Sequence, residues 1–179
     1  DVIELSLYRF SFCLNQIKEE QKTWFIKAQN FVSIQDEALK INGHKRADIT
    51  WMTNEGKLKY QDSKLVVPEV EMWMMEDGVS SVDRIFCGHN PDFDIDFTKE
   101  LWDRTGFKDT YPFSIEKGNR VLDTKQLLLF IDICTGKRRQ YYNLSSMVEA
   151  LEVKKGKTHQ ASEDVRMTKD SLIKMIEPI

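Results

Sequence analysis

The sequence predicts an α/β protein, a sheet of mixed strand direction with helices on both faces. Two observations carry this. Residues 1–32 hold two β-rich runs in close succession, the pattern of antiparallel neighbours. Beyond residue 33, helical patterns with caps and stops alternate with two short apolar runs, which is how a sheet acquires cover on two sides.

The elements follow in order. "DVIELSLYRF" alternates and reads as a strand, and "TWFIKAQNFV" as a second, antiparallel across a charged turn at "NQIKEEQK". "SIQDEALKINGH" reads as a helix with Ser33 as N-cap, Asp36 as capping-box partner and Gly43 as left-handed stop. The next polar stretch, with Trp51, Gly56 and Tyr60, shows no readable period. "VPEVEMWMMEDG" predicts a helix with Pro68 in its first turn and Gly78 at its stop. "DRIFCGHN" is a short buried strand, "DFDIDFTKELWDRTGF" a helix ending at Gly106, and "NRVLDTKQLLLFIDI" a strand running into a helix. "YNLSSMVEALEV" predicts a helix capped by Asn143 or Ser145. The last helix, "SEDVRMTKDSLIKMI", has Val165, Met167, Leu172, Ile173 and Ile176 as its apolar side.

Composition narrows the class. The 179 residues are 41% hydrophobic and 31% charged, which suits one globular domain over 1–179. The net charge of −3 makes no general sponge for nucleic acid, although a local basic patch is compatible with it. Cys13, Cys87 and Cys134 are odd in number and widely spaced, which argues against a disulfide framework or structural zinc and predicts a reducing, cytoplasmic location. The longest apolar run, at 127–131, is too short to span a bilayer, so no membrane partner is expected. Trp24, Trp51, Trp73 and Trp102 are expected in the core or at an interface.

Two stretches stand apart. "CGHNPDFDIDF" at 87–97 crowds Asp92, Asp94 and Asp96 where a strand ends and a helix begins. Helix-dipole compensation accounts for one or two acids there; three repel unless a cation or distance relieves them. Open α/β sheets place ligands at such strand ends. "KTHQASEDVRM" puts His159 on a loop five residues before Asp164.

Together these stretches resemble the motifs of the DnaQ-like DEDDh family of 3′–5′ exonucleases, which includes proofreading exonuclease domains, ribonuclease T and oligoribonuclease. "HNPDFD" is similar to HNxxFD and "HQASED" to HxAxxD, while "DEALKINGH", "VLDT" and "YNLSSMVEALEV" are similar to the intervening segments in the same order. The resemblance implies a ribonuclease H-like mixed sheet with antiparallel early strands. It implies metal-dependent hydrolysis at the 3′ end of single-stranded DNA or RNA, with two Mg²⁺ or Mn²⁺ ions in the complete protein. Asp94 and Asp164 would be metal-binding acids and His159 the general base. The residue types suit that chemistry, since hard cations take oxygen ligands and an imidazole titrates near neutral pH.

By the same resemblance Asn90 braces the turn or the substrate backbone, and Asp123 anchors structure. His44, Arg138, Arg139 and Lys155 are candidate substrate contacts, within "INGH", "GKRRQYY" and "KKGK". A homodimer or a replication or repair complex is the expected assembly. The alternative is a catalytically inactive nucleic-acid- or partner-binding module on the same fold.

The family's first motif, DxExTG, is absent, so the chain is expected to begin after that strand. "FIDICTG" at 130–136 is a decoy: Cys134 stands where Glu is required, and the segment falls in a helical interval, so Asp132 reads as an ordinary helix residue. Asp1 and Glu4 lack the DxE spacing and the following TG.

Overall fold

The computed structural model describes residues 2–13, 16–30, 34–113, 120–157 and 159–177, with backbone alone for 11–13 and 16–18. The elements are β1 (Glu4–Cys13), β2 (Gln16–Phe25), α1 (Asp36–Ile41), α2 (Arg46–Ile49), α3 (Asn54–Lys59), α4 (Ser63–Met75), β3 (Phe86–Gly88), α5 (Asp92–Thr105), β4 (Val121–Asp123), α6 (Thr124–Thr135), α7 (Leu144–Ala150) and α8 (Ala161–Ile176). Asp1 and Ser33 lie outside the described residues. No helix among the described residues is long and apolar enough to cross a membrane.

β1 and β2 form an antiparallel ribbon whose register runs from Glu4 opposite Phe25 to Cys13 opposite Gln16. The predicted charged turn is therefore mostly strand, from Gln16 onward. Glu19, Glu20 and Gln21 are exposed on the ribbon's outer strand, where charge guards an open edge rather than ending it. Among the described residues of the predicted second strand beyond Phe25, only Ile26 makes a ladder contact, a single parallel bridge to Gln61.

Alternate residues of a strand face opposite ways, and the ribbon uses both faces. One packs on α4. Trp24 meets Trp73 edge to face with ring centroids 5.5 Å apart, the Arg9 guanidinium lies 4.5 Å from the Trp73 ring centroid, and Lys22 pairs with Glu69 at 2.8 Å. The other face carries α8. Lys169 lies 4.7 Å from the Tyr8 ring centroid and 3.1 Å from Glu19, and Gln21 donates to the Ser162 carbonyl at 2.7 Å.

β3 and β4 pair in parallel, Phe86 opposite Val121 and Gly88 opposite Asp123. Among the described residues no strand joins this pair to the ribbon. The α/β class, the antiparallel early strands, the parallel later pair and the flanking helices are present, with the two strand pairs separate among the described residues.

The helices follow their caps. Gly43, Gly78, Gly106 and Gly136 all have positive φ, and Gly43, Gly78 and Gly106 stand at the predicted stops. Asn143 caps α7 by accepting the Ser146 N–H at 2.8 Å. α1 starts on Gln35, which makes no side-chain cap. α2 and α3 fill the stretch without readable period, because helices of 4 and 6 residues complete too few turns to display one. α4 begins five residues before Pro68, on Asp62, whose carboxylate accepts the Lys64 N–H at 2.9 Å. Pro68 is thus interior, and the carbonyl it leaves without an intrahelical partner belongs to exposed Lys64, where water can serve it. α8 buries Met167, Thr168, Ser171 and Leu172, with Val165 and Ile173 half-buried. Ile176 is exposed, contrary to expectation, because it lies in the final turn beyond the packed part of the helix.

The main core joins Leu5, Trp24 and Ile26 to Val66, Val67, Val70, Trp73 and Met74 of α4 and to Leu101 and Trp102 of α5. Three of the four tryptophans, Trp24, Trp73 and Trp102, are buried there, as predicted. Each of the fully buried valines contributes on the order of 1.5–3 kcal/mol relative to exposure.

Asp132 is not an ordinary helix residue. It is 1% exposed, pairs with Arg139 Nε at 2.6 Å and accepts the Tyr142 hydroxyl at 3.1 Å, so it ties the 136–142 loop back onto α6. Asp132→Asn should destabilise the protein by about 1–3 kcal/mol, less than a fully buried broken pair because Arg139 keeps some water. Thermal unfolding checks this, and Asp132→Asn should cost markedly less in an Arg139→Met background.

Candidate acidic site at α5 and α8

The turn from β3 into α5 is held from three directions. Asn90 adopts a left-handed φ of 62°, which asparagine tolerates. Its N–H donates to Asp123 at 2.9 Å, and its side-chain carbonyl accepts from Lys125 at 3.3 Å. Asp123 also accepts the Lys125 N–H at 2.9 Å, so one carboxylate fastens this turn and the start of α6. His89 adds a tie that the sequence reading did not single out. Its Nε2 lies 3.0 Å from the Tyr142 carbonyl and its Nδ1 3.1 Å from the Thr124 hydroxyl. A carbonyl only accepts, so Nε2 carries the hydrogen. Burial is the main cause lowering the pKa of His89, which favours this neutral, bridging form. The signal was the first letter of the motif; its partners lie 35 and 53 residues away.

Helix geometry then separates the three aspartates. At about 100° per residue, Asp92 and Asp96 share one side of α5 and Asp94 points the other way. Asp94 is the one whose carboxyl is raised by Asp164, after the larger effect of burial by the surrounding protein. Asp94 is nonetheless solvent-accessible, and Asp164 is half-buried.

Asp164 lies in the first turn of α8, as predicted. Burial raises its carboxyl, the His159 charge and backbone N–H pull it down, and Glu4 and Glu163 push it up. The net direction is upward for both aspartates, with burial the largest cause for each. His159 is exposed on its loop with φ 64°, a left-handed conformation that histidine adopts more readily than most non-glycine residues. Asp94, Asp164 and His159 therefore come into one neighbourhood from elements about 70 residues apart in the chain.

The proposed substrate contacts divide. Arg138 and Lys155 are exposed. Arg139 is engaged by Asp132. His44 is 8% exposed, with Nδ1 2.8 Å from the Tyr60 hydroxyl and Nε2 3.3 Å from Glu4, so it offers no open ring face to a base. Asn90 is held by the turn. Phe93, next to Asp94, is 65% exposed and stacked on Phe97 with centroids 4.3 Å apart; the sequence showed it only as a motif letter.

The donor set suits a hard divalent cation, being two carboxylates at an open edge. Among the described residues no three acidic, histidine or cysteine groups are arranged to hold a metal ion. Cys87 does not enlarge the set, since burial pushes its thiol up to about 12.

Comparison of the chain with family models, with curated proteins and with solved structures finds no match.

Both aspartates hold protons more tightly folded than unfolded, so the native state binds more protons. Stability therefore falls as pH rises from the ordinary carboxyl value of about 4 through the raised folded value. Asp94→Asn and Asp164→Asn should each raise the melting temperature at pH 7, and the gain should vanish below the unfolded value. Melting curves across pH check this; an unchanged gain in acid would mean that charge is not its origin.

Proposed function

We propose that the chain is the nucleic-acid-hydrolysing part of a metal-dependent 3′–5′ exonuclease. The supporting observation is the convergence of Asp94, Asp164 and His159, the residues that the ordered motifs select. A divalent cation between the two carboxylates would supply charge neutralisation at a phosphate. Asp94 and Asp164 would hold such an ion through oxygen. His159 removes a proton from the attacking water, and its exposed loop lets the imidazole approach once substrate is bound. Arg138 and Lys155 give the strand's phosphates sequence-independent contacts. The face of Phe93 suits a terminal base, which can stack on it whatever its identity.

A non-catalytic binding module on the same framework is the second reading. The absence of a three-ligand group among the described residues favours it.

In the complete protein, with its first-motif acids, Mg²⁺ or Mn²⁺ should support shortening of a labelled single strand from its 3′ end, and EDTA should stop it. His159→Ala should slow the reaction by about 10²–10⁴-fold while Mn²⁺ binding persists. Asp164→Asn should abolish both. Strand binding without shortening in either metal would select the second reading, and cleavage in EDTA would overturn the first.

A further inference from the structure

α4 buries one side and leaves the other apolar. Val66, Val67, Val70, Trp73 and Met74 face the core. Outside lie Leu65, Met72 and Met75, which are 69%, 62% and 74% exposed. Their spacing of seven and three residues puts them on one stripe. The apolar surface continues past the helix. Gly78, with φ 70°, turns the chain, and Val79 and Val82 are 41% and 55% exposed in the following loop.

This loop is fixed in place. Arg84 donates to the Met74 and Val79 carbonyls and to the Asp77 carboxylate, so one side chain fastens both ends of the turn. A rigid loop beside flexible methionines gives a preorganised platform with an adaptable surface.

The rim is acidic. Residues 71–85 hold Glu71, Glu76, Asp77 and Asp83 against a single base, Arg84. Arg84 is already paired with Asp77. The Glu76 side chain is 62% exposed, with Arg9 at 3.5 Å. Such a rim repels phosphate backbones and anionic lipid surfaces and attracts a cationic partner.

We propose that the outer face of α4 and the 77–85 loop dock a basic amphipathic helix of a partner protein. The partner's apolar side covers Met72, Met75 and Val79, and its Lys or Arg residues meet Glu76 and Asp83. The surface lies across the β1–β2 ribbon from α8, so docking is independent of the acidic site and of its assigned function.

The probe is a fluorescent, helix-forming Leu/Lys peptide of about 18 residues, long enough to hold a helix on a surface. A Leu/Glu peptide of the same pattern is the control, and anisotropy is the readout. Saturable binding of the Leu/Lys peptide is expected. Met72→Lys with Met75→Lys should weaken it about tenfold or more. Both side chains are exposed, so the fold stands, and Ile41→Lys at another exposed site should change nothing. Glu76→Lys with Asp83→Lys should also weaken binding. Equal binding of the Leu/Glu peptide, equal binding to the Met72→Lys, Met75→Lys protein, or no saturable binding would overturn the proposal. So would light scattering that shows self-association abolished by Met75→Lys, since a second copy would then cover the face.

Discussion

A two-stranded ribbon is barely stable in water unless something covers it. That constraint organises this protein. β1 and β2 pair only with each other among the described residues, so both of their faces have to be buried by helices. α4 covers one through Trp24, Trp73 and Arg9, and α8 covers the other through Tyr8, Gln21 and Lys169. The long separation of these contacts in sequence means that the ribbon, α4 and α8 stabilise one another or not at all.

The placement of α8 has a chemical consequence. A helix held against the ribbon by Lys169 and Ser162 has its first turn, and Asp164, fixed by the same contacts. α5 is fixed separately, by Ile95 packed with Phe86 and Leu101 and Trp102 in the main core. Two rigid helices thus bring Asp94 and Asp164 together although the carboxylates repel. His159 stands on a loop instead, just before the first turn of α8.

How far this was legible in the sequence depended on where each signal resides. Stops set by glycine, as at Gly43, Gly78 and Gly106, were readable because left-handed backbone is local chemistry. The Asn143 cap and the strand running into α6 were readable for the same reason. The turn of the ribbon was misplaced because charges on an open edge strand look like loop residues. The start of α4 was missed because Asp62 caps it from within a stretch that showed no period. Asp94 and Asp164 could be chosen from ordered motifs, whereas their mutual charge effect required α5 and α8 to be packed. The roles of His89, His44, Arg139 and Asp132 were illegible, since each is defined by a partner brought in by the fold.

The central claim is that Asp94 and Asp164 face the same space closely enough to repel. A double-mutant cycle at pH 7 tests it most directly, with unfolding free energies for Asp94→Asn, Asp164→Asn and the double variant. Removing either charge relieves the repulsion, so the second removal should add less than the first. The account predicts a coupling of about 0.5 kcal/mol or more that shrinks in high salt. Strictly additive effects, unchanged by salt, would place the two carboxylates too far apart to share a ligand and would contradict the account.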